Sequence, residues 1–233
     1  MAQDTRDIQA VILAAGRGTR MLPLTETRPK PMQIVSGKNL IEWKLEALPD
    51  AIREVIIVIG HQGDQIKKYF GDNWKERTIR YVVQKELNGT AGALWAARKL
   101  LRGRFLVMMG DDLYGKEDIT NILAHELAIC VKEVWNEETG GELLANPDGT
   151  FSSAKESRHF VEHGFVNTGL YMMTKKIFEY SLVPVSGSSA EFGLPHTLAA
   201  LAKETSVVMV KATKWLRITT PEDLKRAEEF VAG

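Results

Sequence analysis

The chain has 233 residues, of which 44% are hydrophobic, so it is long enough to bury a sizeable core. Its 30 basic and 30 acidic residues give a formal net charge of zero, which argues against binding nucleic acid or a membrane surface through bulk charge. The single cysteine, Cys130, excludes an intrachain disulfide and a zinc site built from cysteines, and we expect it to be buried. The polar N-terminus and the lack of a long apolar run predict a cytoplasmic protein.

Short apolar runs alternate with amphipathic segments along the first half of the chain. This pattern predicts strands and helices in alternation: strands over residues 8–15, 54–59, 79–84 and 105–109, and helices over 40–48, 63–70 and 90–101. In the first helix, Ile41, Leu45 and Leu48 fall on one face. Such alternation predicts a parallel sheet with helices on both faces, in which ligands bind beyond the carboxyl ends of the strands.

The second half of the chain has more varied segments. They predict strands over 128–134, 142–145, 165–173 and 207–210, and helices over 175–181, 195–203 and 221–231. Thr220 is suited to cap the last helix, with Pro221 in its first turn. Because no change in composition marks a linker, we predict a single domain over residues 1–233.

A glycine-punctuated loop, Gly16-Arg17-Gly18-Thr19-Arg20, follows the first predicted strand, and Lys30 stands between two prolines ten residues later. Glycines let a backbone approach a phosphate closely and point N–H groups at its oxygens, while Arg20 and Lys30 add fixed positive charge. The loop is not a dinucleotide fingerprint, because Met21 occupies the third glycine position, and no Gly-Lys-Ser/Thr of a P-loop follows. The loop therefore indicates triphosphate binding of another kind.

Two other polar segments follow predicted parallel strands. Gln84 begins a segment that leads to Gly89 and Thr90, and Asp111 follows an apolar strand and Gly110. A glutamine amide can donate and accept at once, which suits the edge of uracil or thymine. Because the carboxyl ends of parallel strands meet at one edge, we expect the glycine loop, the Gln84 segment and Asp111 to converge on one crevice.

The combination L-A-A-G-x-G-T-R-M-x-P-L-T and R-P-K-P-M, over residues 13–32, closely resembles the signature of the sugar-1-phosphate nucleotidyltransferases. The Gln84 segment, the Gly-Asp at 110–111 and V-N-T-G-L-Y at 166–171 extend this resemblance over nearly the whole chain. It implies a three-layer α/β/α Rossmann-like fold with a mixed, mainly parallel sheet. It also implies a nucleotide-binding half over about 8–115 and a sugar-facing half over about 116–233, with no further domain.

The resemblance implies a set of site residues. Catalytic roles fall to Arg20, Lys30 and Asp111, and Asp111 is also the implied Mg²⁺ ligand. The implied nucleotide contacts are Leu13, Ala14, Ala15, Gly16, Gly18, Thr19, Gln84, Gly89 and Thr90. The implied sugar contacts are Gly141, Glu156, Asn167 and Gly169.

The implied activity joins a sugar 1-phosphate to the nucleotidyl group of UTP or dTTP and releases pyrophosphate. One alternative is a cytidylyl- or guanylyltransferase for another phosphorylated substrate. A second alternative is a degenerate relative that binds or senses a nucleotide sugar. We expect no nucleic-acid or membrane partner, and the sequence leaves open whether the chain forms a homo-oligomer.

Near the end of the chain, the family that this sequence resembles has the pattern W-x-D-x-x-T-P-E-D-L. The sequence departs from that pattern at Arg217. Arg217 stands where that pattern has its first aspartate, the implied second metal ligand, and a protonated arginine cannot coordinate magnesium. Three interpretations follow: Asp111 binds the metal with phosphates and water, Arg217 itself offsets phosphate charge, or catalysis is lost.

Overall fold

The structure, a computed structural model, describes residues 8–139, 141–155, 159–185 and 190–232. Its strands are β1 (Gln9–Ala14), β2 (Ile34–Val35), β3 (Lys38–Asn39), β4 (Glu54–Ile59), β5 (Asn73–Trp74), β6 (Arg77–Val83), β7 (Arg104–Met109), β8 (Leu113–Tyr114), β9 (Ala128–Thr139), β10 (Glu142–Ala145), β11 (Phe151–Lys155), β12 (His159–Thr174), β13 (Val208–Lys211) and β14 (Trp215–Leu216). Its helices are α1 (Leu40–Ala47), α2 (Gly63–Phe70), α3 (Thr90–Ala97), α4 (Lys116–Leu123), α5 (Leu194–Ala202) and α6 (Asp223–Ala232).

The first half of the chain builds the parallel part of the main sheet, in the order β7-β1-β4-β6. Their apolar residues, rich in Val and Ile, suit strands that are covered on both faces. The register pairs Leu13 with Met109, Ala14 with Ile59, and Ile59 with Val83. The strands therefore end together, and the segments that follow them lie along one edge, as the strand–helix alternation predicts.

Helices cover both faces of this sheet. Alternate residues of β1 enter opposite cores: Ile12 packs with α1, α2 and α4, whereas Val11 packs with α3 and α5. Helix α1 begins with a capping box, in which the Asn39 side chain accepts a hydrogen bond from the Glu42 N–H (3.0 Å) and Glu42 accepts one from the Asn39 N–H (2.8 Å). These layers confirm the predicted α/β/α arrangement.

The second half adds mostly antiparallel strands, which make the sheet mixed. β12 pairs with β7 and β9, and β10 lies between β11 and β12. β9 and β12 extend well beyond the predicted 128–134 and 165–173, and they pair with each other along their length. Cys130 on β9 is fully buried, as predicted.

The last helix begins at Asp223, two residues later than predicted, so Pro221 precedes it. The Asp223 carboxylate accepts hydrogen bonds from the N–H groups of Thr219 (2.8 Å) and Thr220 (2.9 Å). A carboxylate in the first turn thus satisfies the donors of the preceding loop. In the described part of the chain, no helix is long and apolar enough to cross a membrane.

Candidate functional site

The glycine loop leaves β1 and turns back over Lys30. Gly18 has a left-handed backbone (φ 63°), and a Cβ there would lie 2.9 Å from the Lys30 Cβ, so only glycine permits this approach. The Thr25 hydroxyl donates to the Gly18 carbonyl at 3.0 Å. A Cβ on Gly16 would meet no atom within 4 Å, so the space beside it is open. Thr19 and Arg20 are exposed, whereas Leu13, Ala14 and Ala15 are buried at the end of β1.

Lys30 and Asp111 form an ion pair across the carboxyl edge of the sheet. The Lys30 Nζ lies 2.6 Å from the Asp111 Oδ2; the lysine side chain is 8% exposed and the aspartate side chain 35%. Burial alone would raise the pKa of Asp111, but attraction and a hydrogen bond from Lys30 lower it below its usual value. The structure thus brings together two predicted site residues that lie far apart in the sequence.

Asp112 belongs to the same cluster, although no role was predicted for this position. Its side chain is buried, and it accepts a hydrogen bond from the Trp215 indole N–H at 3.1 Å. Burial and repulsion from Asp111 raise the pKa of Asp112 to about 7. Two adjacent carboxylates therefore differ: Asp111 is held ionised, and Asp112 gains a proton readily.

Arg217 lies beside Asp112. Its Nη2 donates to the Asn167 carbonyl at 3.0 Å, and its guanidinium carbon lies 5.2 Å from the centre of the Trp215 ring. Its charge counteracts the rise in the Asp112 pKa. The guanidinium therefore lies against β12, beside the carboxylate cluster.

Lys44 is a site residue that sequence reasoning missed. It lies on α1, is 1% exposed, and donates from Nζ to the carbonyls of Leu40 and Gly110, each at 3.0 Å. Burial lowers its pKa to about 8, against the attraction of Asp111 and Asp112. A signal was present, because Lys44 occupies the i+3 position of the apolar stripe formed by Ile41, Leu45 and Leu48.

Gln84 follows β6 at the same edge and is buried. Its amide nitrogen donates to the Gly89 carbonyl (3.1 Å) and to the Asn88 side-chain oxygen (3.2 Å). The backbone of Phe192 fills the space beside Gly89, because a Cβ there would lie 2.4 Å from the Phe192 carbonyl oxygen. The Thr90 hydroxyl accepts the Leu194 N–H at 2.9 Å, which joins the start of α3 to the start of α5.

Among the predicted sugar contacts, the Asn167 side chain is bonded within the protein. It donates to the Tyr171 hydroxyl (2.6 Å) and accepts the Gly169 N–H (2.9 Å). Gly169 has φ 74°, and a Cβ there would lie 2.2 Å from the Met109 Cγ, so Met109 takes the space beside it. Gly141 lies between β9 and β10, and Glu156 falls outside the described residues.

The cluster provides limited ligands for a divalent cation. Magnesium prefers oxygen ligands and is often held by one or two carboxylates together with substrate phosphates. Asp111 has an accessible carboxylate, and Asp112 lies next to it. Within residues 8–139, 141–155, 159–185 and 190–232, no group of three or more potential protein ligands occurs. The residues present therefore fit a cation that receives most of its ligands from bound phosphates.

Comparisons with known proteins agree over nearly the whole chain. A family model described as Nucleotidyl transferase matches residues 9–233. Among curated relatives, the bifunctional protein GlmU of Methanocaldococcus jannaschii is 29% identical over 96% of this chain and 54% of its own length. The UTP–glucose-1-phosphate uridylyltransferase AglF of Haloferax volcanii is 28% identical, covering 95% of this chain and 96% of the relative. The D-glycero-alpha-D-manno-heptose 1-phosphate guanylyltransferase of Campylobacter jejuni is 30% identical, covering 79% and 84%.

The fold also matches a solved structure, that of a UDP-glucose pyrophosphorylase complexed with UDP-glucose. The TM-score is 0.78, with 21% identity over 97% of this chain and 98% of the other. At that identity the likeness shows the fold. The chain spans about half the length of the GlmU relatives that it matches.

Proposed function

The chain belongs to the nucleotidyl transferase family, and from that premise we propose that it transfers a nucleotidyl group from a nucleoside triphosphate to a sugar 1-phosphate. In this reaction an oxygen of the sugar phosphate forms a bond to the α-phosphorus, and the bond to the pyrophosphate leaving group breaks. The attacking oxygen is already ionised near neutral pH, so the protein need not supply a nucleophile. It must bring two anions together and offset their repulsion.

The observation that carries this proposal is the meeting of the glycine loop, Lys30 and Asp111 at one edge of the sheet. Gly18 brings the loop against Lys30, and Lys30 contacts Asp111 at 2.6 Å. We assign the open space beside Gly16 to the triphosphate and Arg20 to its charge. Lys30, which the prolines on either side restrict, offsets the charge of the reacting phosphates.

We propose UTP or dTTP as the nucleotide, on the orientation of Gln84. Its amide nitrogen is bonded to Gly89 and Asn88, so its carbonyl oxygen is the group that remains to face a base. An acceptor there matches the N3–H donor of uracil or thymine, whereas N3 of cytosine is itself an acceptor. Guanine also has a ring N–H donor, so GTP is the main alternative, and a relative named as a guanylyltransferase supports keeping it.

We propose Mg²⁺ as the cofactor, bound through Asp111 and substrate phosphates. The ion would neutralise phosphate charge. Asn167 and Gly169 are proposed to line the sugar, through contacts that require Asn167 to use its remaining hydrogen-bonding capacity. Gly141 and Glu156 stay predictions for the same side.

The test is a matrix of pyrophosphate-release assays. UTP, dTTP, CTP and GTP are each combined with several sugar 1-phosphates, with and without Mg²⁺. We expect turnover with UTP or dTTP that requires Mg²⁺. Faster turnover with GTP or CTP would overturn the assignment of the base but not the reaction class.

Arg217 supports a second candidate, a protein that binds a nucleotide sugar without turnover, because it lies beside Asp112 where the family pattern has a carboxylate. The same matrix decides between them. An absence of pyrophosphate release with every pair, together with measurable nucleotide binding by calorimetry, would favour the binding protein and contradict the enzyme.

A further inference from the structure

A fully buried ammonium lies directly behind the carboxylate cluster. Lys44 on α1 is 1% exposed, and its Nζ bonds two backbone carbonyls, those of Leu40 and Gly110. The Leu40 carbonyl lies one turn earlier on the same helix, so of these two bonds it is the one to Gly110 that joins α1 to another part of the fold. Gly110 immediately precedes Asp111.

Gly110 is placed with little freedom. Its N–H donates to the Leu13 carbonyl at 2.9 Å, and a Cβ on it would lie 2.7 Å from the same oxygen. Its own carbonyl accepts from Lys44 on the other side. Gly110, which leads into Asp111, is thus held by β1 at its N–H and by the lysine of α1 at its carbonyl.

Burial of this charge is unfavourable for folding alone. A lysine that is removed from water loses more hydration than two carbonyl bonds replace, and replacement of buried charges by apolar side chains is often neutral or stabilising. The neighbouring stripe residues Ile41 and Leu45 are apolar and fully buried. A Met or Leu at position 44 would continue that stripe, so packing of α1 does not explain a lysine.

The charges around Lys44 explain it better. Asp111 and Asp112 attract the ammonium, and Lys30, which bonds Asp111, repels it. Two adjacent carboxylates therefore interact with two lysines. One lysine is in the proposed phosphate site, and the other lies in the core, out of reach of solvent.

We propose that Lys44 is a positioning residue, whose ammonium fixes the Gly110 carbonyl and thereby orients Asp111 and Asp112 toward the reacting phosphates. This inference rests on the proposed function of the site. Lys44 touches no substrate in this role; it acts through the peptide that carries the carboxylates.

The central experiment compares Lys44→Met with Leu45→Ala, a control that removes a fully buried side chain from the same helix without touching Gly110. In Lys44→Met, we expect kcat per folded molecule to fall by about 10- to 100-fold, the range for partners of metal-site ligands. The KM for the triphosphate should change only a few-fold. Leu45→Ala should lower stability and leave kcat close to that of the wild type.

A second readout does not depend on turnover. The Trp215 indole N–H donates to Asp112, so its proton resonance reports the placement of that carboxylate. The chain has 5 tryptophans, and loss of one indole signal in Trp215→Phe assigns the resonance. We expect Lys44→Met to shift this resonance toward that of a non-bonded indole, and Leu45→Ala to leave it in place.

A Lys44→Met variant with wild-type kcat and an unmoved Trp215 resonance would overturn the inference. Equal losses of kcat in Lys44→Met and Leu45→Ala would overturn it too, since core stability would then explain both. If Lys44→Met does not fold, Lys44→Leu, which also lacks a donor, is read in the same way. If the wild type itself shows no turnover, the proposed function fails, and the indole resonance alone decides the role of Lys44.

Discussion

Lys30 and Asp111 constrain each other within the site. The 2.6 Å contact places the ammonium on the carboxylate that we assign to the metal. A metal ion on Asp111 would compete with Lys30 for the same oxygen. The ion pair therefore links the placement of the lysine to the occupancy of the carboxylate.

Lys30→Ala and Asp111→Ala should each lower turnover by at least about a hundred-fold, because each removes a charge that acts on the reacting phosphates. In Lys30→Ala folding should persist, since Asp111 is partly exposed and can regain water when its partner is lost. Asp111→Ala should fold with lower stability, because it leaves the Lys30 ammonium, on a side chain that is 8% exposed, without its partner. Steady-state rates and the circular dichroism spectrum measure the two effects. Lys38→Ala is the control, because Lys38 pairs with Glu46 on the surface and should keep its rate. A near-normal rate in either site variant would refute its role.

The Arg217→Asp variant tests whether position 217, where a second carboxylate was expected, affects the Mg²⁺ requirement. A carboxylate at this position, beside Asp112, should lower the Mg²⁺ concentration needed for half-maximal rate, because it adds an oxygen ligand and removes a positive charge. The measurement is a Mg²⁺ titration of the initial rate, with Arg217→Gln as the control that removes only the charge. A titration curve identical in all three proteins would reject a link between this position and the metal.

Sequence motifs predicted the site residues that lie on loops, because the spacing of residues along the chain defines those motifs. Gly18, Lys30 and Asp111 all lie at the predicted edge of the sheet. Burial of a charge depends on which element packs over it, and spacing does not show that. The roles of Lys44 and Asp112 became visible only when α1 and β14 were placed beside β7 and its following turn.

At the scale of elements, the junction between β6 and α3 depends on one glycine. Gly89 has φ 98° and ψ −179°, a region open essentially to glycine alone, and it lies against the Phe192 backbone. Its carbonyl also accepts from Gln84. The motif predicted a glycine that lets the backbone reach the nucleotide, whereas the close approach observed is to the segment before α5.

Gly89→Ala should destabilise the protein more than Gly71→Ala. Gly71 has a similar backbone (φ 58°, ψ −154°), but a Cβ there would meet nothing within 4 Å. The two share a strain of about 1–3 kcal/mol, and the clash with Phe192 should add about 1 kcal/mol or more at Gly89. Urea unfolding measures the difference. Only Gly89→Ala should also weaken nucleotide binding, and equal losses of stability in both would contradict the argument.

The bounds of helices and strands agree with the sequence-based prediction where residues that are close in the chain determine them. Helix α2 has the predicted bounds, 63–70, whereas the long β9 and β12 exceed their predicted runs because they pair with each other. That pairing gives polar and charged residues a strand conformation that their own pattern does not predict. Helix α6 begins two residues later than predicted, and the Asp223 side chain bonds the loop before it.

At the scale of the molecule, strand–helix alternation predicted the layers and the functional edge, but the sheet order required the structure. β12 enters antiparallel beside β7 and carries Asn167 to the side of the sheet where Asp111 lies. Arg217, from the segment after β14, bonds the Asn167 carbonyl. The two halves of the chain thus meet at the carboxylate cluster, which no single segment forms.

The free energy of unfolding of the whole molecule should depend on pH, because the charge of Lys44 is buried. Its pKa is lowered from 10.5 to about 8, chiefly by burial. Below about pH 8 the lysine is charged in both the folded and the unfolded state. The free-energy cost of burying its charge is then fully present and does not vary with pH. Between about pH 8 and 10.5 the folded state loses its proton first, the unfolded state binds more protons, and the free energy of unfolding rises with pH.

Relative to Lys44→Met, which has no titrating group there, the wild type should therefore gain up to about 3 kcal/mol between about pH 7 and pH 10. Urea unfolding of both proteins across this range gives the difference, in which titrating groups that do not interact with Lys44 cancel. Near pH 7 the wild type should be no more stable than Lys44→Met, although the variant turns over more slowly. A difference that is flat with pH would mean that burial does not lower the pKa of Lys44, and one that falls with pH would mean that its pKa is raised. Either result would remove the cost of burial from which the role at Gly110 is inferred.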